Sequence, residues 1–288
     1  ALLLLASSSI YLAGMVLNDW FDIEVDRVER PERPLPSGRV PRSHALYLGI
    51  GLLILGLVSA MFVESTSRHV ALILIAAVVL YDGYTKNTLV GPANMGLCRA
   101  LNVLLGMSSK AGSIWLFDLG QPNATRFGTM AAAGVGLYIM GVTRFARREV
   151  SSGSRGDLAS SAMGYNVGLL LVAMVVWSKS GLSGMFVGPS DPYWMIADTD
   201  PEAFSPMIRL YLGAAIWGAV VLTTNIMVWR AVDSEQPRLI QQAVKTCIVS
   251  LIALDAAVVA LVNGPIWAAV ILVLLVPTLT LGRWVYST

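Results

Sequence analysis

An all-α, polytopic transmembrane helical bundle is the fold class predicted by this 288-residue sequence, and three observations predict it. Hydrophobic residues make up 56% of the chain and charged residues only 13%, with a mean hydropathy of +0.67, well outside the range of water-soluble domains. Apolar stretches of about 20 residues recur along the whole chain, the length a helix needs to cross a bilayer. The basic residues between these stretches sort to alternate sides, as the loops of a membrane protein do. A single transmembrane domain over residues 1–288 follows, with the lipid bilayer as its solvent. The formal net charge of +2 argues against a nucleic-acid partner, which would need a concentrated basic face.

Taken in order, the apolar spans fall at 1–17, 42–63, 69–84, 92–110, 126–146, 157–178, 206–230, 238–262 and 264–283. The opening run from Ala1 to Ala6 starts inside an apolar stretch with no initiating methionine or basic flank, which predicts an N-terminal truncation. It runs straight into acidic residues without a cleavage-type ending, unlike a signal peptide. Strict alternation of the spans places Arg27, Arg30, Arg33, Arg39, Arg42, Lys86, Arg144, Arg147, Arg148, Arg155, Arg230, Arg238 and Arg283 on one side. Only Arg68, Lys110, Arg126, Lys179 and Arg209 fall on the other. The positive-inside rule therefore predicts an integral protein of the cell inner membrane or its equivalent, with the loop after the first span on the cytoplasmic side.

That loop carries the densest chemistry in the chain. Asn18, Asp22 and Asp26 are spaced by four, so a continuing helix stacks them on one face beside Asp19. Carboxylates so placed repel unless a cation lies between them, and a few hard oxygen ligands completed by phosphate suit Mg²⁺. Arg27, Arg30, Arg33 and Arg39 follow in a stiff loop with Pro31, Pro34, Pro36 and Gly38. Acidic and basic groups together suit a diphosphate held through magnesium; the alternative is a solvated, charged helix end beyond a membrane span.

The pattern Asn-Asp-x-x-Asp-x-x-x-Asp-Arg over Asn18–Arg27, then Arg-Pro-x-Arg-Pro-Leu-Pro-Ser-Gly over Arg30–Gly38, resembles the first aspartate motif of the UbiA superfamily of intramembrane prenyltransferases. The resemblance implies a helical membrane bundle that transfers a prenyl group from an isoprenoid diphosphate to a hydrophobic acceptor, assisted by Mg²⁺. The segment from Tyr81 to Lys86 and on through Asn94 resembles the superfamily segment whose lysine helps hold the diphosphate. The resemblance thus makes Asp22, Asp26 and Lys86 candidate catalytic residues, and Asn18, Asp19, Asp22, Asp26 and Glu149 candidate metal ligands. Asn18, Arg27, Lys86, Asn94, Arg99, Asn102, Arg144 and Arg148 become candidate substrate-binding residues. Arg99 and Asn102 earn their place by position as well, because polar side chains one to two turns inside a span normally face the bundle interior or a wet cavity. Snorkelling toward the headgroups is the alternative for Arg99, and Asn102 is too short for it.

Span five ends where the superfamily's second pair of aspartates is expected, and here the residues spaced by four are Arg144 and Arg148. The only acids nearby are Glu149 and Asp157. The two guanidinium groups could take the place of a second metal by binding phosphate oxygens directly, pair with Asp22 and Asp26, or serve only as topology signals with Glu149 as a lone ligand. The replacement resembles the divergent EboC-like branch, which implies a second possible function: binding or moving an isoprenoid or secondary metabolite without catalysis.

The remaining features are quieter. The loop from Lys179 to Pro206 carries Tyr193 and Trp194, which suit a membrane interface. Asp255 interrupts span eight, either as a functional site or as a structural ion pair. Cys98 and Cys247 lie in apolar runs and provide neither a disulfide framework nor a metal motif.

Overall fold

The computed structural model describes residues 1–109, 123–147, 155–179 and 206–285. Among these residues all the regular secondary structure is helical, and the chain divides into two compact units, Ala1–Met140 and Gly141–Thr288.

In the first unit α1 (Leu2–Phe21) leads into the short α2 (Ile23–Glu29), and α3 (Arg42–Met61) and α4 (Ser65–Leu80) follow. A π turn over Tyr81–Thr85 comes next, then α5 (Gly91–Met107) and the start of α6 (Asn123–Arg147). Helices α1 and α3 meet along glycines. A Cβ at Gly49 would stand 2.7 Å from Leu17 Cδ2, and one at Gly56 would stand 2.6 Å from Ile10 Cγ1. Without a hydrophobic drive between helices in lipid, such close approach supplies the dispersion contacts that hold them together. α5 and α6 cross in the same way, since a Cβ at Gly96 would lie 2.4 Å from the Gly136 carbonyl oxygen. The buried centre of the unit is small and aliphatic, with Ala6, Ile10, Leu74, Leu101 and Leu105. Leu48, Ile54, Leu55 and Val58 of α3 are exposed, as side chains facing lipid must be.

Two breaks in this unit position the polar residues. α1 stops at Phe21, yet the amide of Asp22 donates to Asn18 O at 2.9 Å and that of Asp26 to Asp22 O at 2.9 Å. The helical repeat thus carries across the junction, and the face predicted for a continuing helix survives it. At the end of α4 the Lys86 amide donates to Tyr81 O at 3.0 Å, five residues back. One residue is inserted into the turn, a device often found at functional sites. The Phe21 ring packs against Gly83, 3.2 Å from where a Cβ would sit.

The second unit contains the end of α6, then α7 (Arg155–Lys179), α8 (Pro206–Ser234), α9 (Pro237–Asn263), α10 (Pro265–Val273) and α11 (Leu275–Val285). Gly141 lies against the backbone of Tyr165, where a Cβ would be 2.3 Å from the amide nitrogen. Asn166 and Asn225 exchange amide hydrogen bonds at 3.1 Å between α7 and α8, and Trp217 Nε1 donates to Leu169 O at 3.2 Å. Arg155 pairs with Asp233, and Asp255 is exposed on α9.

Among the described residues seven helices are long and apolar enough to cross a membrane, against nine expected spans. The difference has two causes. α5 has only 17 residues, about 25 Å of helix. The expected last span is split into α10 and α11, where the ring of Pro277 would collide with the carbonyl four residues back in a continuous helix. The aromatic loop expected around Tyr193 and Trp194 lies outside the described residues.

Candidate functional site

The first unit brings the acidic residues of α1 and α2 together with Lys86 in one polar cleft of about 320 Å³, lined by Asn18, Asp19, Asp22, Asp26, Arg30, Arg33 and Lys86 among others. Each of the three aspartates has a cation. Lys86 Nζ pairs with Asp22 and reaches Asn18 Oδ1 at 3.4 Å. Arg33 Nη1 donates to Asp26 Oδ2 at 2.8 Å and lies 3.3 Å from Asp19 Oδ1. Asp26 is the most enclosed, its side chain only 8% exposed, so the Arg33 bond compensates a carboxylate that has lost most of its water.

Arg27 does not join this group. It stands one position after Asp26, points to another side of the helix, and donates to Glu24 at 2.8 Å in an exposed pair. Arg42 stacks over the Trp20 ring at 4.6 Å on the same outer side. The arginines that line the cleft are Arg30 and Arg33, delivered when the proline-rich loop folds back; Gly38 at φ 76° permits the reversal. Asn94 lines neither this cleft nor the cavity below it. Its amide donates to Ala77 O at 3.2 Å and to Thr85 Oγ1 at 2.9 Å, which pins the π turn and so positions Lys86. Arg144 is exposed near the end of α6 in the second unit, and Arg148 and Glu149 lie outside the described residues.

The donor set sets a limit on any metal. Among the described residues no three His, Cys, Asp or Glu side chains converge closely enough to hold an ion alone. The oxygens of Asn18, Asp22 and Asp26 nevertheless line one cleft, and such hard donors suit a divalent cation whose shell is completed by phosphate oxygens.

Asn18 also belongs to a second space. An apolar cavity of about 360 Å³ opens on its other side, between α1, α4 and α5, lined by Ile10, Tyr11, Met15, Leu74, Val78 and Met95. Ser7, Asp82, Arg99 and Asn102 are among the polar side chains that face it. Ser7 Oγ donates to Asn102 Oδ1 at 2.8 Å, and the Arg99 guanidinium lies 5.3 Å from the centre of the Tyr11 ring, a cation–π contact. Arg99 and Asn102 thus both line this cavity. Asp82 is the residue that sequence reasoning missed. Its spacing of four from Lys86 was the available signal, because it places both on one face of a helical turn.

Comparisons with known proteins place the chain among prenyltransferases. Over 106 residues the chain is 36% identical to digeranylgeranylglyceryl phosphate synthase of Sulfurisphaera tokodaii, covering 36% of this chain and 38% of that one. It is 36% identical over 121 residues to the protein of that name from Methanoregula boonei, covering 42% and 43%. The alignments thus span about two fifths of these relatives. A solved structure from work titled as mechanistic insight into the biosynthesis of digeranylgeranylglyceryl phosphate synthase in membranes superposes with a TM-score of 0.55. It does so at 19% identity, over 90% of this chain and 84% of that one, which establishes the shared helical membrane fold. The sequence model of the UbiA prenyltransferase family matches residues 1–197, a stretch that includes every residue of the cleft and the cavity, and the chain is an integral membrane protein belonging to that family.

Proposed function

We infer that this protein transfers a prenyl group from an isoprenoid diphosphate to a hydrophobic acceptor within the bilayer. The observation that carries this reading is the junction at Asn18, where a cleft of paired charges adjoins an apolar cavity. A prenyl diphosphate has the same division, with a charged head and a long apolar tail.

Lys86, Arg30 and Arg33 offer N–H donors to the diphosphate oxygens, and guanidinium forks suit such oxygens bidentately. The electrostatic task is to stabilise negative charge on the departing diphosphate as the allylic carbon–oxygen bond breaks. Mg²⁺, which Asn18, Asp22 and Asp26 would hold together with phosphate, supplies Lewis-acid stabilisation of that leaving group when bound. Asp19 shares Arg33 with Asp26 and orients it. Below Asn18 the aliphatic walls keep water from the cationic carbon and leave the acceptor as its nucleophile. The basic loop and the acidic residues face the cytoplasm, because the arginines flanking the cleft are the densest in the chain.

The relatives' name supports a long prenyl chain, and geranylgeranyl diphosphate is the first donor to try. The test incubates purified protein with labelled geranylgeranyl diphosphate, with and without Mg²⁺. Mg²⁺-dependent release of diphosphate supports the reading, and tight binding without release would leave a carrier in its place.

A further inference from the structure

The prenyl-transfer reading leaves one buried carboxyl group unused. Asp82 is 6% exposed, lines the apolar cavity, and its Oδ2 accepts no hydrogen bond. A buried carboxylate oxygen with no donor is costly and calls for an explanation. Its place is fixed against α1, where a Cβ added at Gly14 would stand 3.9 Å from Oδ2. Asn18 lies one turn further along the same helix, about 6 Å nearer the cleft. There Lys86 Nζ approaches Asn18 Oδ1 at 3.4 Å while pairing with Asp22. Asn18 lines both spaces, so the ammonium group and the orphaned oxygen stand at the two ends of one short path along α1. Lys86 follows Asp82 by four residues, and the flexible four-carbon stem of a lysine lets its ammonium group travel one helical turn without backbone movement. The cation among the cavity's own lining residues, Arg99, is held over the Tyr11 ring at 5.3 Å, and Tyr11 precedes Gly14 on α1, on the side away from the cleft.

We propose that Asp82 is a positioning residue that acts through Lys86. The lysine has two seats, the observed one on Asp22 and a second on Asp82 Oδ2, and a divalent cation bound by Asp22 sends it to the second. The proposal rests on the diphosphate site of the prenyl-transfer reading and deepens it. A dication entering beside Asp22 repels the ammonium group already paired there, and an ammonium group displaced without a partner would oppose metal binding. Asp82 removes that opposition. The exchange is one of ion pairs: Asp22 gives up the ammonium group and gains the metal, while Asp82 gains the ammonium group and satisfies its orphaned oxygen. An ammonium group has three N–H donors, so Lys86 held by Asp82 still offers donors to a diphosphate in the cleft.

The test titrates MgCl₂ calorimetrically into the full chain in phosphatidylcholine nanodiscs, with and without inorganic diphosphate, and so needs no turnover. Asp82→Asn should lower Mg²⁺ affinity by about tenfold or more, as for loss of a charge-assisted bond, and Asp82→Glu should recover part of it. In a Lys86→Met background, where no ammonium group has to be reseated, the same Asp82→Asn change should alter Mg²⁺ affinity by less than about twofold. A direct pull of the Asp82 charge on the metal predicts a loss in Lys86→Met that is equal or larger, and that result would overturn the proposal. A merely structural role would appear in both backgrounds together with a lower melting temperature, and would overturn it as well. A second variant keeps Asp82 intact: the hydroxyl of Gly14→Ser comes within reach of Oδ2, so it should occupy that oxygen and lower Mg²⁺ affinity as Asp82→Asn does. Gly14→Ala makes the same 3.0 Å contact with Val78 Cγ1 and should not. Unchanged Mg²⁺ affinity in Asp82→Asn, or no Mg²⁺ binding by the wild type under either condition, would also reject the exchange. Parallel incubation with labelled geranylgeranyl diphosphate separates the two readings. Donor cleavage without the Asp82 effect leaves prenyl transfer standing and removes the exchange, whereas the full Mg²⁺ pattern without cleavage keeps the exchange and removes prenyl transfer.

Discussion

Replacing Lys86 by methionine should change two affinities in opposite directions. Lys86 Nζ pairs with Asp22 and approaches Asn18 Oδ1 at 3.4 Å, with side-chain exposures of 17% for Lys86 and 28% for Asp22. A charge-assisted bond of this kind contributes about 1.5–3 kcal/mol, so loss of the ammonium group should weaken diphosphate binding by about 10- to 150-fold. The same lysine occupies the oxygens that a cation would use. Releasing Asp22 from a partly exposed pair is worth about 1 kcal/mol, so Mg²⁺ alone should bind roughly fivefold more tightly to Lys86→Met than to the wild type. Isothermal titration of both forms, first with MgCl₂ and then with inorganic diphosphate at fixed Mg²⁺, reads both numbers. Methionine keeps the length and apolar stem, so packing of the π turn is retained. If both affinities fall together, or neither moves, Lys86 does not stand between the carboxylates and the diphosphate.

Asp22→Ala should abolish Mg²⁺-dependent binding of geranylgeranyl diphosphate, whereas Glu24→Ala, which removes only the exposed pair with Arg27, should leave it largely intact; equal losses in the same binding assay would mean a diffuse charge effect. Asn94→Ala removes the donors to Ala77 O and Thr85 Oγ1, so thermal unfolding should report a loss of about 1–3 kcal/mol, and an unchanged melting temperature would deny the amide its bracing role. Single cysteines placed at 18–42, 85–91 and 231–237 of a variant lacking Cys98 and Cys247 should react only with reagents that enter the cell; labelling of any one from outside would break the predicted topology.

The acidic face was legible because an α-helix repeats every 3.6 residues and the steps from Asn18 to Asp22 to Asp26 follow that repeat. It survived a helix break because two backbone hydrogen bonds bridge the junction. The choice among the arginines was not legible. Arg27 is adjacent to Asp26 in sequence but points to Glu24, and Arg33 reaches Asp26 only through a loop reversal that local spacing does not encode. Asn94 reads as a ligand candidate in a polar stretch, yet its amide is consumed by the π turn, whose extra residue the sequence does not announce. Pro277 did announce the break between α10 and α11, and hydropathy alone passed over it. Asp82 was hidden by its position at a span end, where an acid usually meets water; the fold of α1 and the π turn encloses it instead.

The central claim is that the charge cleft and the apolar cavity meeting at Asn18 form the place where a prenyl diphosphate is cleaved. The most direct measurement is diphosphate release from labelled geranylgeranyl diphosphate by the purified protein in nanodiscs, supplied with a total lipid extract as the source of acceptor. The account predicts release that requires both Mg²⁺ and the extract, is lost in Asp22→Ala, and is matched mole for mole by label appearing in a prenylated lipid. Stoichiometric binding of the donor with no release under any of these conditions would contradict it.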